Sequence, residues 1–117
     1  PPMGQKVTKE YEKRLGREPN RLIFQAADSL FLLAEAMNQA GTTDADAVIK
    51  TMQSIKFTGA RGTITFSKEP GYSFQQWLDV PFVTYQLTET GQPVSKAPLV
   101  QGPGMPLDTA KLVKPGS

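Results

Sequence analysis

The 117-residue sequence lacks both cysteine and histidine. This excludes disulfides, zinc sites of the Cys/His type and every catalytic triad that uses histidine as its base. No apolar run reaches the roughly 18 residues that a membrane-spanning helix needs, so we expect a chain that is not transmembrane. Charge is also nearly balanced, with 13 Lys and Arg against 11 Asp and Glu and no basic stripe, so we expect no nucleic-acid partner.

Few residues suggest catalysis or metal binding. The stretch 58-TGARG-62 approximates a phosphate-binding loop, but no helix and no Gly-Lys-Ser/Thr follow it, so we interpret it as a turn feeding a strand. The acidic pairs Asp44/Asp46 and Glu10/Glu12 could hold a hard cation. We interpret the first as a helix cap and the second as a solvated face. We therefore expect no enzyme, no metal and no cofactor.

Three aromatic residues surround a bend near the middle of the chain: Tyr72, Phe74 and Trp77. They could form an aromatic box for a ligand. Aromatic side chains around a bend more often fill a core, and we favour that interpretation.

The first half of the chain has helical periodicity. Residues 5–15 place a thin apolar stripe among charges, and Gly16 is expected to end that helix. Asn20 is expected to cap a second helix over 22–39, which Gly41 would stop. A third helix should follow within 43–55, with Thr43 and Asp46 resembling a capping box.

The second helix is unusually apolar for its length. We expect one stripe to face the core, formed by Ala26, Leu30, Leu33, Met37 and Ala40. Phe24, Ala27 and Phe31 form a second apolar edge, whereas Asp28 is assigned to another side. We interpret the second edge as a surface that meets structure missing from this chain.

After Ile55 the pattern changes to that of short strands. The segment 63-TITF-66 alternates as a strand does, 82-FVTYQL-87 is rich in β-forming residues, and 97-APLVQ-101 could form another strand. ETGQ is expected to form a hairpin loop between the last two. Residues 102–117 are rich in Pro and Gly and are expected to form an extended tail.

The order of these features resembles a known family. The segments 25-QAADSLFLLAEAMNQAGTTDADAVIKTM-52, 57-FTGARGTITFSKEPG-71 and the approach EYEKRLGREPN are similar to the C-terminal region of type I periplasmic solute-binding proteins of the branched-chain amino acid ABC transporter family. The sequence departs from the family pattern at Ala27, where an aromatic residue usually precedes the helix Asp. The stretch YSFQQWLDVPF is also longer than the common connection.

The resemblance implies an α/β fold and a C-terminal fragment of a two-lobe protein, with two to three helices followed by short strands and a hairpin. Residues 1–78 would belong to one lobe, 79–101 would form a crossover and terminal hairpin, and 102–117 the tail. The chain opens PPMGQK, without a start methionine or signal peptide, so we expect a mature, cleaved or partial form of a periplasmic protein.

Function is likewise implied by the resemblance. The chain would belong to a solute-binding component that delivers a small organic ligand, amino acid-like or an aromatic acid, to an ABC permease by closure of two lobes. Leu22 matches a position where the family presents an apolar ligand contact, and Phe24 and Gln25 lie beside it. The N-terminus of that helix would favour a ligand carboxylate. The alternative is that Leu22 and Phe24 only pack the lobe.

Two other classes of function stay open. One is the sensory ligand-binding domain of a receptor with the same fold. The other is a stand-alone helical interaction module whose exposed apolar edge docks a partner. A domain swap or dimer of the isolated fragment is a further alternative.

Overall fold

The computed structural model describes residues 1–113, which form three α-helices and two small antiparallel sheets. The helices are α1 (Pro2–Leu15), α2 (Arg21–Ala40) and α3 (Ala45–Met52). The strands are β1 (Phe57–Thr58), β2 (Thr63–Ile64), β3 (Thr84–Tyr85) and β4 (Leu99–Gln101). The expected α/β class, with helices followed by short strands and a hairpin, is confirmed. The chain divides into two compact units, the first ending at Val80 and the second beginning at Pro81.

Three helix ends lie where the sequence predicted them, at Gly16, Asn20 and Gly41. Gly16 and Gly41 end α1 and α2 with φ angles of 65° and 68°, a left-handed conformation that glycine adopts without a steric penalty. Asn20 caps α2, because its Oδ1 accepts hydrogen bonds from the backbone N–H groups of Leu22 and Ile23.

The cap of α3 differs from the expected one. Asp44, and not Thr43, is the N-cap residue, and its Oδ2 accepts a hydrogen bond from the N–H of Ala47 at 3.1 Å. Thr42 supports it by accepting a hydrogen bond from the N–H of Asp44. The prediction of a Thr43/Asp46 capping box was wrong because aspartate is an equally good cap one residue further along the chain.

The first hairpin joins β1 to β2, with Phe57 opposite Ile64 and Thr58 opposite Thr63. Its loop is 59–62, and the N–H of Gly59 donates to the carbonyl of Gly62 at 2.9 Å. The interpretation of 58-TGARG-62 as a turn feeding a strand is confirmed.

The core of the first unit lies between α2, α3 and this hairpin. Its buried members are Leu32, Ala36, Val48, Ile55 and Ile64. On α2 the buried face is Asp28, Leu32 and Ala36, which are spaced four residues apart.

The expected core stripe of α2 is therefore wrong in its first half. Leu30 is 66% exposed and Leu33 is also exposed, whereas Met37 and Ala40 pack against the core. The assignment of Asp28 to another side is wrong too, since Asp28 is completely buried. The helix turns this face inward because Asp28 has partners there that compensate for its burial.

The second unit is a small sheet with added turns. Strands β3 and β4 pair antiparallel as expected, with a register irregularity between Thr84 and Tyr85. Glu89 accepts a hydrogen bond from the N–H of Gln92, so ETGQ forms a turn, but the whole connection is longer than a simple hairpin loop and includes a 3₁₀ turn at Val94–Lys96.

The segment expected to be an extended tail is partly folded. The N–H of Asp108 donates to the carbonyl of Val100, and a 3₁₀ turn follows at Thr109–Lys111. Gln86 holds Val113 through its side-chain amide. The remainder of the predicted tail, 114–117, lies outside the described residues.

Candidate functional site

A buried carboxylate on α2 holds the loop of the first hairpin. Asp28 Oδ1 accepts a hydrogen bond from the backbone N–H of Ala60 at 2.5 Å. Its Oδ2 accepts from the backbone N–H of Arg61 at 3.2 Å and from the Arg61 Nε–H at 2.8 Å. A buried carboxylate is tolerated only when it is paired and hydrogen-bonded, and these three donors meet that requirement. We call Asp28 together with the loop 59–61 the Asp28 clamp.

The clamp depends on two glycines, because a Cβ atom at either position would lie too close to a neighbouring atom. A Cβ atom at Gly59 would lie 2.2 Å from Oδ1 of Asp28. A Cβ atom at Gly4 of α1 would lie 2.9 Å from the carbonyl oxygen of Ala60. The loop is thus enclosed by α2 on one side and by the first turn of α1 on the other.

Arg61 connects the clamp to the single tryptophan. Its guanidinium carbon lies 5.1 Å from the centre of the Trp77 ring, within the range of a cation–π contact. Trp77 also packs against the core cluster. Its indole Nε1 is buried and has no hydrogen-bond acceptor within residues 1–113.

The aromatic residues at the bend do not form a single cluster in the core. Trp77 is half-buried against the core, but Tyr72 is 98% exposed and Phe74 is also exposed. The expectation that these aromatics fill a core is confirmed for Trp77 and wrong for the other two. Gly71, directly before Tyr72, has a φ of 99°, which glycine adopts without a steric penalty.

The structure places the three predicted ligand contacts in the first turns of α2. Leu22 is 58% exposed, Gln25 is exposed, and Phe24 is half-buried. Leu22 is therefore free of the core of the described chain. Whether a ligand contacts these residues stays a prediction.

The same helix end is a weaker anion site than the sequence suggested. Asn20 already occupies the N–H groups of Leu22 and Ile23, so two of the helix's unpaired donors have a partner. A ligand carboxylate at this end would have to compete with that cap.

The second apolar edge of α2 contributes to a groove beside α1. Phe31 lines this groove together with Met3, Val7, Tyr11 and Leu15, and the groove volume is about 470 Å³. The thin stripe expected on α1 is thus on one wall of an open apolar groove.

Sequence reasoning missed the Asp28 clamp. A signal for it was present, because Asp28 lies four residues before Leu32 and eight before Ala36, on one face of an apolar helix. What the periodicity could not supply was its partner, which is 32 residues further along the chain at Ala60.

Two further observations concern the described residues as a whole. Residues 1–113 contain no group of three or more acidic side chains placed to hold a metal ion. In the same range, no helix combines the length and apolarity needed to cross a bilayer.

Comparison with known proteins identifies the family. The model of the periplasmic binding protein family matches residues 1–92. The chain therefore belongs to the periplasmic binding protein family, which indicates a solute-binding role outside the cytoplasm. No curated protein and no solved structure gave a significant match.

Proposed function

We propose that this chain is part of an extracytoplasmic solute-binding component of an ABC importer. The family match over residues 1–92 carries this proposal. The ligand would be a small organic molecule, amino acid-like or an aromatic acid, as the likeness to the branched-chain amino acid transporter proteins suggests. The component would deliver it to an ABC permease, and would not act as an enzyme.

Ligand contact would occur at the start of α2, through Leu22, Phe24 and Gln25. Two observations support this placement. Leu22 is a large apolar side chain with more than half of its surface exposed, although it is not needed for the core of the described chain. The Asn20 cap fixes the backbone beneath it, so the side chains of this turn are held by a rigid element.

Hinge closure would use the segment where the first unit ends. The division between the two compact units at Val80 and Pro81 falls near the start of the segment 79–101, which the resemblance assigns to a crossover and terminal hairpin. Proline fixes its own φ angle and donates no backbone hydrogen bond, which suits a stiff strand between moving lobes. Closure of two lobes around a solute is the motion proposed for the intact polypeptide.

Thermal shifts of the intact polypeptide that carries this chain would test the function. The ligands would be branched-chain amino acids, their amides and aromatic acids, each at a concentration far above the expected Kd. A ligand at 100 times its Kd stabilises the folded state by about 2.7 kcal/mol, which gives a readily measured rise in Tm. The absence of a shift with every compound would contradict the proposal.

A matched pair of variants would test the contact residues. Leu22→Ala should weaken binding of whichever ligand gives a shift, while Leu30→Ala should not. Both leucines lie on α2 and are exposed to a similar extent, at 58% and 66%. If both variants lose the same affinity, or if neither variant loses affinity, Leu22 does not contact the ligand.

A further inference from the structure

Arg61 has one occupied edge and one free edge. Its Nε–H is bound to Asp28, but neither Nη1 nor Nη2 has an acceptor within residues 1–113. The Arg61 side chain is 31% exposed, so solvent reaches part of it. The free edge carries the pair of parallel N–H donors that fits a carboxylate in two-point geometry.

The orientation of this guanidinium is fixed before anything binds. Asp28 holds the Nε side, and Asp28 is itself immobilised by its burial and by the N–H of Ala60. The ring of Trp77, whose centre lies 5.1 Å from the guanidinium carbon, restricts the movement of the guanidinium on one of its two faces. A donor pair that is already oriented loses little conformational entropy on binding.

The neighbouring indole supplies a second reason to expect an acceptor here. The N–H of Trp77 is buried without a partner in the described chain. Buried polar groups in native proteins are nearly always paired, so an unpaired donor calls for an explanation. The unpaired donor of Trp77 therefore favours an acceptor group that the described chain does not supply.

We propose that Arg61, oriented by Asp28 and backed by Trp77, binds the carboxylate of a small organic solute. This inference goes beyond the function proposed above, because it uses only α2, the loop 59–61 and Trp77. It requires neither ligand contact at Leu22 nor closure of two lobes. The two proposals can therefore fail separately.

The indole N–H resonance of Trp77 offers a direct measurement. Trp77 is the only tryptophan, so a nitrogen–proton NMR spectrum of the labelled 117-residue chain has one indole signal to follow. The chain would be titrated with sodium acetate, with sodium chloride at equal ionic strength, and with acetamide as the neutral analogue. Acetate should give a saturable shift that chloride and acetamide do not. A shift of the same size with chloride, or no saturable shift with acetate, would overturn the proposal.

Three variants would assign the effect to Arg61. Arg61→Gln should weaken acetate binding by at least about tenfold, since it removes a charged two-point donor. Arg61→Lys keeps the positive charge beside Asp28 but lacks the pair of parallel N–H donors of a guanidinium. It should therefore preserve the fold and bind acetate more weakly than the wild type. Arg14→Gln is the control, because Arg14 also donates its Nε–H to a carboxylate but is exposed on α1.

The amide spectrum of each variant would report whether the fold is retained. Wild-type acetate affinity in both a folded Arg61→Gln and a folded Arg61→Lys chain would overturn the proposal. An equal loss of affinity in Arg14→Gln would also overturn it, because the effect would then reflect overall charge.

Discussion

Asp28 and Arg61 are joined twice, since one carboxylate oxygen accepts both the backbone N–H and the side-chain Nε–H of the arginine. This pair connects the second turn of α2 to a hairpin that begins 29 residues after it, at Phe57. The carboxylate is completely buried, whereas the arginine is partly exposed. A single side chain of α2 therefore holds the hairpin loop through three hydrogen bonds.

Removal of the Asp28 charge should destabilise the first unit. Asp28→Asn keeps the shape but weakens the hydrogen bonds from Ala60 and Arg61, and it places an amide N–H₂ among donors. We expect a loss of about 2–3 kcal/mol in the free energy of unfolding, measured by urea denaturation.

The matched control for that variant is Glu10→Gln. Glu10 accepts from the Nε–H of Arg14 at 2.7 Å, the same type of pair on an exposed helix face. Its loss should cost less than about 1 kcal/mol. Equal effects of the two variants would contradict a special role for burial at Asp28.

A methyl group at Gly59 should also disrupt the clamp. Its Cβ would lie 2.2 Å from Oδ1 of Asp28, so either the carboxylate or the loop must move. We expect Gly59→Ala to cost about 1–3 kcal/mol, as other overpacking changes do. Gly102→Ala is a suitable control, because a Cβ there meets its nearest atom at 3.5 Å. Wild-type stability of Gly59→Ala in thermal unfolding would show that the approach is less tight than described.

The buried face of α2 can be tested with two leucines that differ by two positions. Leu32 belongs to the core, whereas Leu30 is 66% exposed. Leu32→Ala should cost about 2–5 kcal/mol, and Leu30→Ala less than about 1 kcal/mol in the 117-residue chain. The measurement is the urea midpoint of each variant. A larger loss of stability in Leu30→Ala than in Leu32→Ala would instead support the core stripe that was expected from the sequence.

The N-cap of α2 should contribute a smaller amount. Asn20→Ala removes the acceptor for the N–H groups of Leu22 and Ile23 and should cost about 1 kcal/mol. Asn38→Ala, an exposed asparagine in the last turns of the same helix, is the control and should be close to neutral. The difference would be measured as a change in Tm. An effect of Asn38→Ala as large as that of Asn20→Ala would contradict the cap assignment.

Local signals predicted three of the helix ends. Helix ends at Gly16 and Gly41 follow from the conformational freedom of glycine, and the start at Asn20 follows from the hydrogen bond that its side chain offers. Strand β2 follows from the alternation of 63-TITF-66 after a glycine-containing turn, whereas its partner β1 was not predicted. All of these depend on residues close together in the chain.

The inward face of α2 could not be found in this way. Two apolar stripes were present on the helix, and hydropathy alone favoured the one with Leu30 and Leu33. The burial of Asp28 decides between them, and it depends on donors from Ala60 and Arg61 that are remote in sequence. Tertiary hydrogen bonding therefore overrode the local pattern, and the candidate site at Arg61 was missed for the same reason.

Because of the position of Trp77, the tryptophan fluorescence of the chain reports on its first unit. Trp77 is the sole indole fluorophore, and it packs on the core of the first unit, three residues before that unit ends at Val80. The second unit, from Pro81 onward, has no tryptophan, and its aromatic residues are Phe82 and Tyr85. Selective excitation of tryptophan will therefore follow denaturation of the first unit alone. Comparison with backbone circular dichroism will then reveal whether the β3/β4 sheet is lost in the same transition.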